Sequence, residues 1–261
     1  MDEIENNETL TAQSEKSGKW SAGPSVAPVY FNGMGQGSPI NSILASNSKT
    51  GNVTLSFGVT VAYEISKKLS LRSGVHKVDF GYNTNDVSFT SSFNASSGNQ
   101  LKNIDYSQDS QSIILNDPST QDNPTKQGAL FAPDVTGKNP TRLGTMGQQF
   151  GYIEVPLELN YALLDRKFGV NLIGGLSSLF LMDNLVILKS NGQTTEVGEA
   201  NNINNVNFST NVGLGLHYKF TSKLRFNVEP VFKYQLNTFS DTSGSFNPYS
   251  LGVYSGFSLK F

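Results

Sequence analysis

The chain has 261 residues, of which 37% are hydrophobic and 15% charged, and its formal net charge at pH 7 is −2. This balance gives no electrostatic case for nucleic-acid binding, and the absence of cysteine excludes disulfides, thiolate metal ligands and thiol catalysis. No apolar run approaches the roughly 18 residues of a membrane-spanning helix, while the length suits a single all-β domain.

The first stretch, residues 1–18, is polar and acidic and shows no hydrophobic period. This composition predicts a disordered tail or linker, and the folded domain is expected to cover residues 19–261. The stretch has neither the basic nor the apolar region of a secretory signal peptide. If the protein is exported, we therefore expect its signal or membrane anchor upstream of this sequence.

Eight later segments alternate apolar and polar residues, as strands with one apolar face do. Short connectors near residues 67–69, 165–167 and 221–223 alternate with long polar ones, and residues 90–149 form the longest. This rhythm predicts an all-β fold, an eight-stranded antiparallel up-and-down transmembrane β-barrel with long extracellular loops and both termini in the periplasm. The segments are residues 19–32, 53–67, 69–89, 150–163, 168–189, 206–220, 224–239 and 249–261.

Alternation alone does not say which face of the barrel is apolar, since a lipocalin-like barrel has its apolar side inward. One feature that favours lipid outside is an aromatic cluster where the strands meet the short turns, as in the girdle at a membrane interface. A second is that glycines on the polar face leave room for long side chains. The aromatic residues are Tyr63, Tyr161, Phe168, Tyr218, Phe220, Phe226 and Phe261.

Charged residues of both signs on the polar faces are the third feature. Side chains fill the interior of an eight-stranded barrel, so opposite charges there can neutralise one another. On the lipid face, each Lys or Arg near the midplane would instead cost about 2–4 kcal/mol. The predicted lumen charge network comprises Glu64, Arg72, Glu154, Glu158, Lys219, Arg225, Glu229 and Lys233.

The last strand resembles the C-terminal insertion signal of outer-membrane barrels. That signal combines a terminal aromatic residue, an apolar residue two positions earlier and a glycine five positions earlier. Phe261, Leu259 and Gly256 match these positions, and Tyr254 opens the motif. The resemblance implies that the barrel-assembly machinery and outer-membrane lipid are partners.

Residues 152–159, with the sequence YIEVPLEL, and the pair Gly174-Gly175 on the next strand resemble the PorT-like outer-membrane barrel domains of Bacteroidetes. In that family the proline belongs to the motif, and we expect a local bulge at Pro156. Some members are the C-terminal barrels of dual-membrane-spanning anti-sigma factors. The resemblance therefore implies the outer-membrane anchor or sensor of a trans-envelope signalling protein. A stand-alone structural or adhesive barrel and a soluble ligand-binding barrel are the alternatives.

The sequence has no convincing catalytic motif, and we expect no enzymatic activity, no cofactor and no metal site. His76 and His217 lack the spacing of a metal site. Glu154 and Glu158 share a strand face, but about four residues of rise separate them by roughly 13 Å, too far for a glycosidase pair. Ser177 lacks the second glycine of a nucleophile elbow.

The long connector, residues 90–149, is expected to be a solvated extracellular loop that can hold a partner. Its aspartates, Asp105, Asp109, Asp117 and Asp122, lack the spacing of a calcium loop. Its apolar groups, residues 113–115 and 130–132, are expected to pack against strands that project above the membrane.

Overall fold

The computed structural model describes residues 18–91, 101, 103–108, 113–116 and 141–261. The tail up to residue 17 lies outside them, and so does most of the long connector, with residues 130–132 and three of its four aspartates. Among the described residues, no helix has the length and apolarity to cross a membrane.

The described residues form thirteen strands and one turn of 3-10 helix at Ser42–Leu44. Eight strands are long and correspond to the eight predicted segments. The strands are β1 Trp20–Met34, β2 Gly37–Ser38, β3 Lys49–Glu64, β4 Leu69–Ser91, β5 Ile104–Tyr106, β6 Ile113–Leu115, β7 Arg142–Asp165, β8 Phe168–Ser190, β9 Gln193–Ala200, β10 Val206–Lys219, β11 Leu224–Gln235, β12 Ser243–Gly244 and β13 Asn247–Lys260.

The eight long strands close into a ring. Each pairs antiparallel with the long strands before and after it in the chain, and β1 pairs with β13 to complete the circle. The predicted eight-stranded up-and-down barrel is therefore confirmed. The three tight turns lie at one end together with Trp20 and Phe261, where the Phe261 amide donates to the Trp20 carbonyl at 2.9 Å. We call this the turn end and the opposite one the loop end.

Apolar side chains of the strands point out of the barrel, and polar ones point in. Val53, Phe168 and Leu214 are 68%, 69% and 50% exposed. Glu154 and Asn211, on inward positions, are 0% and 3% exposed. A soluble barrel with an apolar ligand cavity has the reverse arrangement.

Strands β4, β7 and β8 continue beyond the barrel at the loop end. They have 23, 24 and 23 residues, whereas about 9–11 cross a bilayer. Strand β8 turns back into β9 through Asn191 and Gly192, whose φ angles of 50° and 77° suit a tight hairpin. Strand β5 pairs with β9, and β6 pairs with the end of β4, where Leu115 faces Phe89. The predicted packing of residues 113–115 is confirmed.

Two local expectations are wrong. Strand β7 begins at Arg142 and not at residue 150, because its first residues, at the loop end, are rich in Gly and Gln and show no alternation. The bulge expected at Pro156 is absent, since the register of β7 runs evenly past this residue on both neighbouring strands. Its irregularities lie instead between Gly151 and Tyr152 and between Ala162 and Leu164. At Pro156 the Ser73 hydroxyl donates to the proline carbonyl at 2.8 Å.

Candidate functional site: the filled lumen

The inward side chains nearest the turn end form two separate ion-pair groups. Glu64 binds Arg225 at 3.1 Å and Lys260 at 2.5 Å. Lys219 binds Asp165 at 2.5 Å, and the Asp165 carboxylate also lies 3.4 Å from the His217 ring. Lys219 is therefore not joined to the other predicted charges by any ion pair among the described residues.

Arg72 occupies the middle of the lumen and connects three strands. Its guanidinium donates to Glu158 through Nε at 2.9 Å and Nη2 at 2.7 Å, and through Nη1 to Glu229. The second oxygen of Glu158 accepts from Asn211 at 2.9 Å, and Asn211 also donates to Ser177 at 2.7 Å. Such two-sided, charge-assisted contacts fix Arg72 across the barrel interior.

Lys233 and Glu154 form the most deeply buried pair. Their Nζ and Oε1 atoms are 2.5 Å apart, and their side chains are 6% and 0% exposed. The Lys233 ammonium also lies 4.7 Å from the centre of the Tyr254 ring. The second oxygen of Glu154 has no hydrogen-bond partner among the described residues. Two charges removed this far from water depend on each other, because either one alone would remain buried and unpaired.

All eight residues of the predicted lumen network thus take part in ion pairs, in four groups and not in one continuous network. Sequence reasoning missed Asp165, because it falls beside a predicted turn, and Lys260, because its strand was interpreted as an insertion signal. Alternation could have found Lys260, since it lies between the outward Leu259 and Phe261.

The residues of the predicted insertion signal divide between the two faces. Leu259 and Phe261 point outward and are 53% and 64% exposed. Tyr254 points into the lumen, 8% exposed, against Lys233. A Cβ atom at Gly256 would lie 2.1 Å from the Pro24 carbonyl oxygen, so this glycine allows β13 and β1 to approach closely.

On the loop-end side of Glu154, the lumen is filled by an aromatic core that sequence reasoning missed. Phe31 stacks on Phe80 with ring centres 4.7 Å apart and meets the edge of Phe150 at 5.9 Å. Tyr82 packs 5.0 Å from Phe246 and donates to Gln148. All four aromatic strand residues are at most 3% exposed. The interior is therefore polar near the turn end and apolar toward the loop end.

Open space in the described lumen lies on the turn-end side of this core. A cavity of about 90 Å³ opens at the turn end and reaches Arg72. A smaller one of about 20 Å³ lies between Arg72, Lys233 and Tyr254. The walls are mainly small polar side chains and the ion-paired charges, which suits water better than an apolar ligand.

No group of His, Asp or Glu side chains among the described residues is arranged to hold a metal ion. His76 lies 3.3 Å from the Thr60 hydroxyl, and His217 lies 3.2 Å from the Asn171 amide. Each imidazole thus has one neutral hydrogen-bonding neighbour inside the lumen, and His217 also faces the Asp165 carboxylate.

A closed ring of eight antiparallel strands, apolar outside and charged inside, is the fold of a small outer-membrane β-barrel. No protein-family model matches the sequence, and no curated protein matches it. Among solved structures, the chain is similar to Neisserial surface protein A (NspA), with 11% identity, 95% of this chain and 100% of that chain covered, and a TM-score of 0.45. It is also similar to Ail, the attachment invasion locus protein of Yersinia pestis, with 10% identity, 93% of this chain and 99% of that chain covered, and a TM-score of 0.38. A third similar structure is the outer membrane protein AlkL, with 11% identity, 100% of this chain and 98% of that chain covered, and a TM-score of 0.39.

Proposed function

We propose that this chain is a non-enzymatic outer-membrane anchor that conducts nothing, and that it forms the outer-membrane end of a trans-envelope signalling protein. The observation that carries the proposal is the double seal of the lumen. Paired charges fill the middle, and an aromatic core fills the loop-end half. A channel or a transporter needs a continuous path, whereas an anchor gains stability from a filled interior.

Membrane residence is supported by the outer surface of the barrel. Large apolar side chains are exposed on seven of the eight long strands and half-buried on β11, and in water an apolar belt of this extent would drive association. The aromatic residues at its turn-end edge include Trp20 and Tyr63, whose rings lie 4.9 Å apart, and the Phe168–Tyr218 pair at 4.8 Å. Rings with polar edges favour this depth of a bilayer.

The signalling role is supported by the position of the chain ends in the barrel. Trp20 and Phe261 are hydrogen-bonded neighbours at the turn end, so the residues that precede β1 leave the barrel there. With short turns in the periplasm, a tether at this end reaches toward the inner membrane. The resemblance to anti-sigma barrels adds the consequence that a change in the barrel or its loops would be transmitted along the tether to a bound sigma factor.

An adhesive surface role is the second candidate, and the cap at the loop end favours it. Strands β5, β6 and β9 extend the barrel wall, and Asn202, just after β9, donates to the Pro39 carbonyl at 2.7 Å and to the Asp241 carbonyl at 2.6 Å. An ordered platform at this end is suited to holding an extracellular partner, with residues 90–149 as the candidate contact.

Conductance measurements test the double seal. The refolded protein is inserted into planar bilayers beside an established porin as positive control. We expect no stable current steps from this chain, because Arg72 with its two carboxylates and the Phe31–Phe80 stack block the lumen at separate levels. Large ohmic steps would contradict the anchor and favour a porin.

Gene-level and topology experiments test the signalling role. Removal of the barrel from the full-length gene should change the expression of a set of genes, while the same deletion in an adhesin should not. In parallel, protease added to intact cells should cleave within residues 90–149, and residues 1–18 should become accessible in spheroplasts. A transcriptome unaltered by barrel removal would leave the adhesive role.

A further inference from the structure

The turn end carries a group of basic side chains, which we call the basic collar, on the tight turns and at the start of β1. All of them are exposed, and none forms an ion pair with a described carboxylate. They differ in this from the inward cations at the same end, which are already paired with Glu64 and Asp165. The basic collar comprises Lys19, Lys67, Lys68, Arg166, Lys167 and Lys223.

The described charges are strongly polarised along the barrel axis. At the turn end, the six collar residues and three inward cations face two side-chain carboxylates, a formal side-chain charge of +7. At the loop end, four cations (Lys49, Lys77, Arg142 and Lys189) face seven carboxylates, a formal charge of −3. Those carboxylates are Asp79, Asp86, Asp105, Asp183, Glu196, Glu199 and Asp241. The two ends therefore attract different neighbours.

Two collar residues, Lys19 and Lys167, lie against the outer wall of the barrel. The Lys19 ammonium is 5.9 Å from the centre of the Tyr63 ring, and the Lys167 ammonium is 5.5 Å from that of Tyr218. Both rings point outward and belong to the aromatic edge of the apolar belt. The ammonium groups therefore sit just beyond this edge, at the depth where headgroups begin.

We propose that the basic collar binds the phosphate groups of anionic phospholipids in the leaflet at the turn end. The inference rests on the proposed membrane residence of the barrel. Clustered Lys and Arg residues at the edge of a membrane segment concentrate anionic lipid, and the attraction extends about one Debye length. An acidic polypeptide, such as residues 1–17 of this chain with their five carboxylates, would be drawn to the collar by the same charges. The outer-wall position of Lys19 and Lys167 favours lipid.

Trp20 is a built-in reporter for the test, since it is the single tryptophan of the chain and adjoins Lys19. The full chain is reconstituted in phosphatidylcholine vesicles that contain a small share of lipid with brominated acyl chains. This quencher is either phosphatidylglycerol or phosphatidylcholine, at equal amounts. We expect quenching that corresponds to a roughly fivefold preference for phosphatidylglycerol near Trp20, and a smaller preference at high salt.

Variants without selected positive charges show which end of the barrel causes the lipid preference. The triple variant K19Q/K67Q/K68Q, next to Trp20, should lose the preference. The triple variant K77Q/R142Q/K189Q removes the same charge from the loop end and should keep it. The ratio of the two quenchers cancels any change in the intrinsic brightness of Trp20. Because both leaflets have one composition, the direction of insertion does not affect the ratio.

Each outcome decides the proposal. Equal quenching by both lipids in the unmodified chain overturns it. So does a preference that survives in K19Q/K67Q/K68Q. If a synthetic peptide of residues 1–17 alters Trp20 emission in neutral vesicles while the lipids quench equally, the collar binds the tail and not lipid. A shift in gel mobility on heating shows that each variant is inserted and folded, so failure of the membrane assignment is separately visible.

Discussion

The buried pair of Lys233 and Glu154 allows a quantitative prediction. The variant Lys233→Met leaves the Glu154 carboxylate at 0% exposure without its ion-pair partner, and its second oxygen already lacks a described hydrogen bond. Breaking a buried pair by removing one partner costs about 3–5 kcal/mol, and we expect the free energy of unfolding to fall by this amount. Glu154→Met should also destabilise the barrel, because it leaves the Lys233 ammonium buried.

The double variant E154M/K233M removes both charges and should be more stable than either single variant, since no unpaired charge remains. The control is Lys219→Met, whose partner Asp165 is 43% exposed, and its cost should be about 0–1 kcal/mol. The assay is reversible urea unfolding in lipid vesicles, followed by the fluorescence of Trp20. A loss for Lys233→Met no larger than for Lys219→Met, or a double variant with the summed loss of both singles, would refute the reasoning.

Two further predictions use pairs of neighbouring positions. A Cβ at Gly175 would lie 2.6 Å from the Glu158 Cα, whereas one at Gly174 would have nothing within 4 Å. In the same unfolding assay Gly175→Ala should therefore cost about 1–3 kcal/mol and Gly174→Ala within roughly 0.5 kcal/mol, and equal losses would contradict this. Deletion of Phe261, which is outward and aromatic, or its change to a small polar residue should lower outer-membrane levels more than a similar change at the inward Ser258. Immunoblots of membrane fractions that show equal accumulation would remove the role of Phe261 in assembly.

Much of the barrel could be predicted because alternation is local. A period of two residues assigns each side chain to one face as soon as the strand is recognised. It therefore placed Arg72, Glu158 and Glu229 on inward positions before any pairing was known. Which cation meets which carboxylate depends on strand register and ring closure, and these are not local properties. The four separate ion-pair groups, and the exclusion of Lys219 from the others, follow from that register.

The aromatic core was missed because hydrophobicity changes face along one strand. On β4, Val75 points outward and Arg72 inward, whereas farther along Lys77 points outward and Phe80 inward. The alternation continues without interruption, but the apolar residues move from the outer to the inner face. This change marks the level at which the outer surface of the barrel passes from lipid into water. Its position cannot be set from a single strand, because strand tilt and the level of neighbouring strands determine the boundary.

The pairing of β1 with β13 has a consequence for how the chain folds. Strands β1 and β13 pair along their whole length, from Ser21 with Lys260 to Met34 with Asn247. Contacts between residues far apart in a sequence form slowly, because the chain loses the entropy of closing a large loop before the contacts stabilise it. Until β13 arrives, the sheet has two unpaired edges that invite association with other chains. Copies of the chain must therefore be kept apart until the fourteen-residue β13 has been made and has paired with β1.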